Sequence, residues 1–215
     1  MRASRRFFMM AASAATLSPT GPWAQAPAET PPPEAPPASP SPAPGGAPGL
    51  PTLLPEPGDP ANVDEVELSA KPVLILAGQS KWDDGYKTIR AAISRIEQEL
   101  GRLGIAPAGR PLVLYTQTGD DDFKFDAMVP AASAPASPPA DLAKDMRFGQ
   151  TPAGKAFRFT HKGPYDDIDG TYETVTTYLE AKDIVASDAF MEEFVNDISD
   201  PADDKLEVNI FVQPK

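Results

Sequence analysis

The chain of 215 residues contains no cysteine, which excludes disulfides, thiol catalysis and cysteine-ligated metals. Its single histidine, His161, makes a histidine-rich metal site untenable. Basic residues are few beside acidic ones: 19 Lys and Arg against 31 Asp and Glu give a net charge of −12. A nucleic-acid surface needs clustered cations, so no nucleic-acid partner is expected. The triplet Asp120-Asp121-Asp122 lacks the spaced ligands and glycine of a calcium loop and reads, like Asp203-Asp204, as a solvated turn. Neither a metal nor a cofactor is expected.

Long apolar runs are also missing. Residues 1–26 combine Arg2, Arg5 and Arg6 with a short apolar run, Phe7–Leu17, and a small-residue cleavage pattern at Ala24-Gln25-Ala26. That is the pattern of an export signal, too short in its apolar part to span a bilayer. The paired arginines ahead of Phe7-Phe8-Met9 are similar to a twin-arginine signal, with the general secretory route as the alternative. Either route predicts a periplasmic protein without a transmembrane segment. Residues 27–60 hold fourteen prolines and almost no large apolar side chain before Leu50. Such a stretch cannot offset its ordering entropy by burial, so the expectation is a disordered, extended tether.

What remains, 61–215, is enough for one core. Strands are expected at 63–69 and 73–78, followed by a helix over 84–103 whose apolar residues, from Tyr86 and Ile89 to Leu100 and Leu103, recur in steps of three and four. Gly104 is placed to close that helix. Strands at 112–118 and 123–129 make a hairpin through Gly119-Asp120-Asp121. After a low-complexity connection at 130–140 comes a short strand at 146–148. Phe157, Phe159 and His161 then alternate with polar residues, which predicts a strand. Gly163-Pro164 ends it, Asp166 or Asp167 is placed to cap a helix, and Ile168, Tyr172, Val175 and Leu179 share that helix's inner face. A hairpin of 189–198 and 205–213 closes the chain.

The two halves, about 63–130 and 145–215, echo each other. Trp82-Asp83-Asp84 and Tyr165-Asp166-Asp167 lie 83 positions apart, each between a strand and a helix, and Val129-Pro130 and Gln213-Pro214 lie 84 apart. These offsets point to a duplicated strand-helix-strand-strand unit. The expected class is α+β: a curved, mainly antiparallel sheet with two helices on one face.

The pattern His161-x-Gly163-Pro164-Tyr165, the helix after it and Glu192-Glu193-Phe194-Val195-Asn196-Asp197 resemble the GyrI-like domain, the effector-binding domain of AraC-type and multidrug-responsive transcription activators. The resemblance extends over nearly all of 63–215 and implies a stand-alone, exported member. It implies two pseudo-symmetric units with a cleft between the helices that takes an amphipathic or cationic small molecule. Glu192 matches the family's cleft glutamate, and alternation places Phe194 and Asn196 on the same face. Trp82, Tyr165 and Tyr115 supply rings for cation–π attraction. His161 shares a face with Phe157 and Phe159 and reads first as a structural histidine, with ligand contact as the alternative. Phe194 stands where the family has tyrosine, which removes a hydroxyl and argues against catalysis. Two other readings stay open: a hydrolase of small reactive molecules using Glu192 as base or nucleophile, and a protein-interaction or inhibitor domain whose partner is unknown.

Overall fold

A computed structural model describes residues 49–135, 137–197 and 200–215, excluding the side chain of Asp188. The export-signal pattern and residues 27–48 lie outside the described residues. Among the described residues, eight strands and two helices follow one another as β1 (Asp64–Leu68), β2 (Pro72–Lys81), α1 (Gly85–Arg102), β3 (Leu112–Thr118), β4 (Asp122–Pro130), β5 (Met146–Gln150), β6 (Gly154–Lys162), α2 (Ile168–Ala181), β7 (Ala186–Phe194) and β8 (Glu207–Pro214). All eight strands join one sheet in the order β1-β6-β8-β7-β3-β4-β2-β5, and every pairing is antiparallel. Both helices pack on one face, so the fold is α+β as the sequence predicts.

The register makes the duplication explicit and enlarges it. Leu76 pairs with Ala127, and Phe159, 83 positions after Leu76, pairs with Ile210, 83 positions after Ala127. The repeated unit is therefore strand-strand-helix-strand-strand, one strand longer than expected, because β1 and β5 are also equivalent. Those two strands are exchanged: β1 pairs with β6 of the second half, and β5 with β2 of the first. The proline echo at Pro130 and Pro214 is one position out, since Val129 corresponds to Val212 in the paired register.

Each helix begins through a 3-10 turn, Trp82–Asp84 or Tyr165–Asp167. The expected capping bond from Asp166 or Asp167 is absent: Asp167 holds the N-cap position of α2 with no side-chain bond. The preceding 3-10 turn already directs the chain into the helix, with the Asp167 N–H bonded to the Pro164 carbonyl at 3.0 Å. At their other ends the helices close alike. The amides of Gly104 and Ile105 reach back to Gly101 and Leu100, and those of Asp183 and Ile184 to Glu180 and Leu179, a Schellman arrangement in both halves. Gly104 has φ +70, and Asp183 holds the equivalent left-handed position at φ 53. These equivalents are 79 positions apart because α2 has 14 residues against 18 in α1, one turn fewer.

The two sheet faces carry separate apolar clusters. One unites Leu74, Leu76, Phe125, Phe159, Phe194 and Ile210 with Ile89, Ile93 and Ile96 of α1 and Val175 of α2. The other, Val73, Ile75, Leu112, Met128, Met191 and Phe211, receives no helix. Part of that face is covered instead by residues 49–58, which corrects the reading of 27–60 as a disordered tether throughout: its last part is laid along the sheet, with Leu53 and Leu54 packed on this second cluster. The segment's prolines deny it a strand ladder, and the sheet's side chains satisfy its backbone. Arg158 donates to the carbonyls of Glu56 and Pro57, Arg110 donates to that of Leu50, and Glu193 accepts from the Leu53 N–H. The connection between the halves is pinned to α1, where Glu99 accepts from Arg102 and from the Ala143 N–H while Arg102 also reaches Asp141.

Two outcomes test this description. Replacing Asp183 by glycine removes the side-chain penalty of the left-handed position and raises stability by on the order of 1 kcal/mol in urea denaturation. The Glu99 carboxyl is held down to about 2, first by its bond from Arg102 and then by the Ala143 N–H, from an ordinary value of 4.5. A lowered carboxylate value stabilises the fold fully above the unfolded value and loses that effect as pH falls toward the folded one. Glu99→Gln therefore flattens the decline of the thermal midpoint between pH 4.5 and about 2.

Candidate functional site

The centre of the sheet is the antiparallel pair β3 and β7, where Val113 faces Glu192 and Tyr115 faces Phe190. Alternation along β7 turns Phe190, Glu192 and Phe194 to the helix side and Met191 and Glu193 to the other. Glu192 is thereby placed in the main core, at 0 % exposure, and no cationic side chain among the described residues pairs with it.

Three tyrosine hydroxyls meet the carboxylate instead. Tyr165 donates to Oε2 at 2.8 Å, Tyr115 lies 3.1 Å from the same oxygen, and Tyr172 donates to Oε1 at 2.7 Å. The Tyr115 and Tyr165 hydroxyls are themselves 3.1 Å apart. Each arrives by a different route: Tyr115 from β3, Tyr165 from the turn after Gly163-Pro164, and Tyr172 from α2, two turns further on. Aromatic rings enclose the group. Phe194 stacks on Tyr165 at 6.1 Å and Phe190 meets Tyr172 edge-on at 6.2 Å. On the α1 side Tyr86 packs against Tyr165 at 5.0 Å, and Trp82 covers Phe123 at 4.5 Å and Tyr115 at 6.4 Å.

Of the six residues proposed from the sequence, Glu192, Tyr165, Tyr115 and Phe194 come together directly, and Trp82 stands behind Tyr115. His161 sits elsewhere: its Nε2 lies 3.0 Å from the Pro164 carbonyl, which can only accept, so that nitrogen carries the hydrogen. Its Nδ1 meets the Thr171 hydroxyl at 2.9 Å. The ring braces the Gly163-Pro164 turn against α2. Asn196, expected on the face of Glu192, lies past the end of β7, donating to the Lys205 carbonyl in the loop before β8 and accepting from the N–H of Glu207, the first residue of β8.

Tyr172 was read only as part of the apolar face of α2. The missed signal is its spacing of seven from Tyr165, which returns a side chain to the same side of the helix after two turns. The other half carries a hydroxyl at the place equivalent to Phe194. Tyr115 lies 79 positions before Phe194, the offset that relates Gly104 to Asp183, so it occupies the equivalent place across the pseudo-two-fold axis.

The fold recurs in known proteins. The family model described as "GyrI-like small molecule binding domain" matches residues 61–215. The chain belongs to the GyrI-like family. Comparison with curated proteins returned no match. Among solved structures, the EcmrR C-terminal domain superposes with a TM-score of 0.59 at 15% identity, over 72% of this chain and 97% of that one. EcmrR in a DNA complex gives 0.59 at 16% identity over 71% of this chain, which spans only 57% of that protein's chain. SAV2435, solved bound to tetraphenylphosphonium, gives 0.50 at 15% identity, covering 72% of this GyrI-like chain and 94% of its own. At these identities the likeness is one of fold. The GyrI-like chain is thus a small-molecule-binding domain by family, and no helix among its described residues is long and apolar enough to cross a membrane.

Removing one donor from a buried carboxylate leaves charge undersupplied. Tyr165→Phe should cost about 1.5–3 kcal/mol in urea denaturation. Tyr178→Phe, whose ring packs on Phe157 and Phe159 away from the carboxylate, should be close to neutral.

Proposed function

We propose that the domain holds an amphipathic or lipophilic cation in a cleft between α1 and α2, with Glu192 as the counter-charge. One observation carries this reading: a fully buried carboxylate, ringed by tyrosines, with no cationic side chain beside it among the described residues. Burying a carboxylate is costly unless donors or a cation accompany it. The three hydroxyls supply the donors in the unliganded protein, and an organic cation replaces part of that supply when it binds. Tyr165, Tyr172, Phe190 and Phe194 then offer ring faces and edges to its apolar parts. The tetraphenylphosphonium bound to SAV2435, a protein of similar fold, supports the choice of ligand class.

Because Glu192 is closed to solvent, a ligand reaches it only after the half-buried Tyr172 and Tyr86 move aside. The α1–α2 side is built for this, since α1 packs mainly on β2 and β4 and α2 on β6. The export-signal pattern of residues 1–26 supports a location outside the cytoplasm. A hydrolytic reading draws support from the same distances, since a carboxylate with tyrosine hydroxyls at 2.7–3.1 Å is equipped to act as base or nucleophile on a reactive small molecule. Phe194 in place of tyrosine does not weaken that equipment, given Tyr115.

Thermal unfolding with tetraphenylphosphonium tests the binding reading. Binding to the native state raises the wild-type midpoint, and at a hundredfold excess over Kd the gain is about 2.7 kcal/mol. Glu192→Gln should abolish the shift while leaving the fold intact. An equal shift in both proteins would remove Glu192 from the site.

A further inference from the structure

The face of the sheet without helices carries a polar cluster that the cleft does not use. Arg158 of β6, Glu193 of β7 and Asn209 of β8 are 5 %, 1 % and 2 % exposed, and Thr160 lies beside them. Arg158 is bonded to Asp64 at 2.9 and 2.5 Å, and Glu193 accepts from Asn209 at 3.0 Å. Burial pushes the Glu193 carboxyl up, against its bonds from Asn209 and the Leu53 N–H.

What this cluster holds is backbone. Arg158 Nη1 donates to the Glu56 carbonyl at 2.8 Å, Glu193 accepts from the Leu53 N–H at 2.5 Å, and the Arg110 backbone N–H and Nε donate to the carbonyls of Pro51 and Leu50 at 2.9 and 3.1 Å. Side-chain reading is confined to two points. Leu53 and Leu54 lie on the apolar cluster, and Gly58 is pressed so closely on Thr160 that a Cβ there would stand 1.9 Å from its Oγ1. Pro55, Glu56 and Pro57 between them are exposed.

We propose that this face is a second binding site, a groove for an extended, proline-containing peptide of the pattern Leu-Leu-x-x-x-Gly, filled in the free protein by residues 49–58 of the same chain and exchangeable with that segment from a second copy. Three observations favour a site over a piece of core. The contacts go to main chain, as in recognition of an extended ligand. The groove's charged groups keep partners of their own, Asp64 for Arg158 and Asn209 for Glu193, when the segment leaves. The family match begins at residue 61, so the segment lies outside the part of the chain that the family shares. An intramolecular segment acts at an effective concentration of about 1 mM, which keeps the groove filled against a competitor in solution.

The test uses the full chain, with Gly58→Val to unseat the segment and a fluorescent peptide of residues 49–60 as probe. Near-UV circular dichroism and cooperative thermal unfolding report folding. Peptide anisotropy should show binding to the Gly58→Val chain at least about tenfold tighter than to wild type, whose groove is already filled. Adding Arg158→Met should remove that binding, and a peptide carrying valine in place of its glycine should fail to bind. The proposal is overturned if the folded variant ignores the peptide, if wild type and variant bind it equally, or if Arg158→Met leaves binding unchanged. It is also overturned if Gly58→Val prevents folding, because the segment is then part of the core.

Discussion

Two carboxylates buried side by side on one strand set the terms for this molecule. Glu192 and Glu193 face opposite sides of β7, at 0 % and 1 % exposure, and neither side of the sheet can close until each has donors. On the helix side the donors are hydroxyls drawn from β3, the turn before α2, and α2 itself. On the other side they are Asn209 and a backbone N–H brought in by residues 49–58. The position of α2 and the burial of the central strands answer to those two groups, and the leading segment adds one more donor to Glu193.

The duplicated architecture makes this supply possible. Each half contributes an edge strand to the other, and the direct pairing of β3 with β7 joins the halves into one sheet with three strands on either side of the central pair. The halves differ where the site requires it. The shorter α2 shifts the later equivalence from 83 to 79 positions and brings Tyr115 and Phe194 into matching places, one with a hydroxyl and one without. The loop before β8 then restores the original spacing.

Much of this was legible in the residues. The stepping of Ile89, Ile93, Ile96 and Leu100 gives α1 directly, and the echo of Trp82-Asp83-Asp84 in Tyr165-Asp166-Asp167 gives the repeat, because period and spacing are local properties of a chain. Tyr172 was hidden because a tyrosine on an apolar helix face serves equally well as packing. The partnership of Tyr115 with Glu192 depends on the β3–β7 register, which no short motif encodes. The order of residues 49–58 was missed because their composition argues for disorder, and the groups that overrule it, Arg110, Arg158 and Glu193, are far away in sequence.

Val113 and Glu192 are direct cross-strand partners and also equivalent positions of the two halves. In an assembly of two identical half-chains the glutamate would meet its own copy across the symmetry axis, with side chains about 5 Å apart in a closed core. Two like charges so placed repel strongly. Covalent fusion of the halves lifts that constraint, since a valine can occupy one side while the carboxylate keeps the other. A single acidic group on the axis is therefore something a gene fusion can encode and a homodimer cannot.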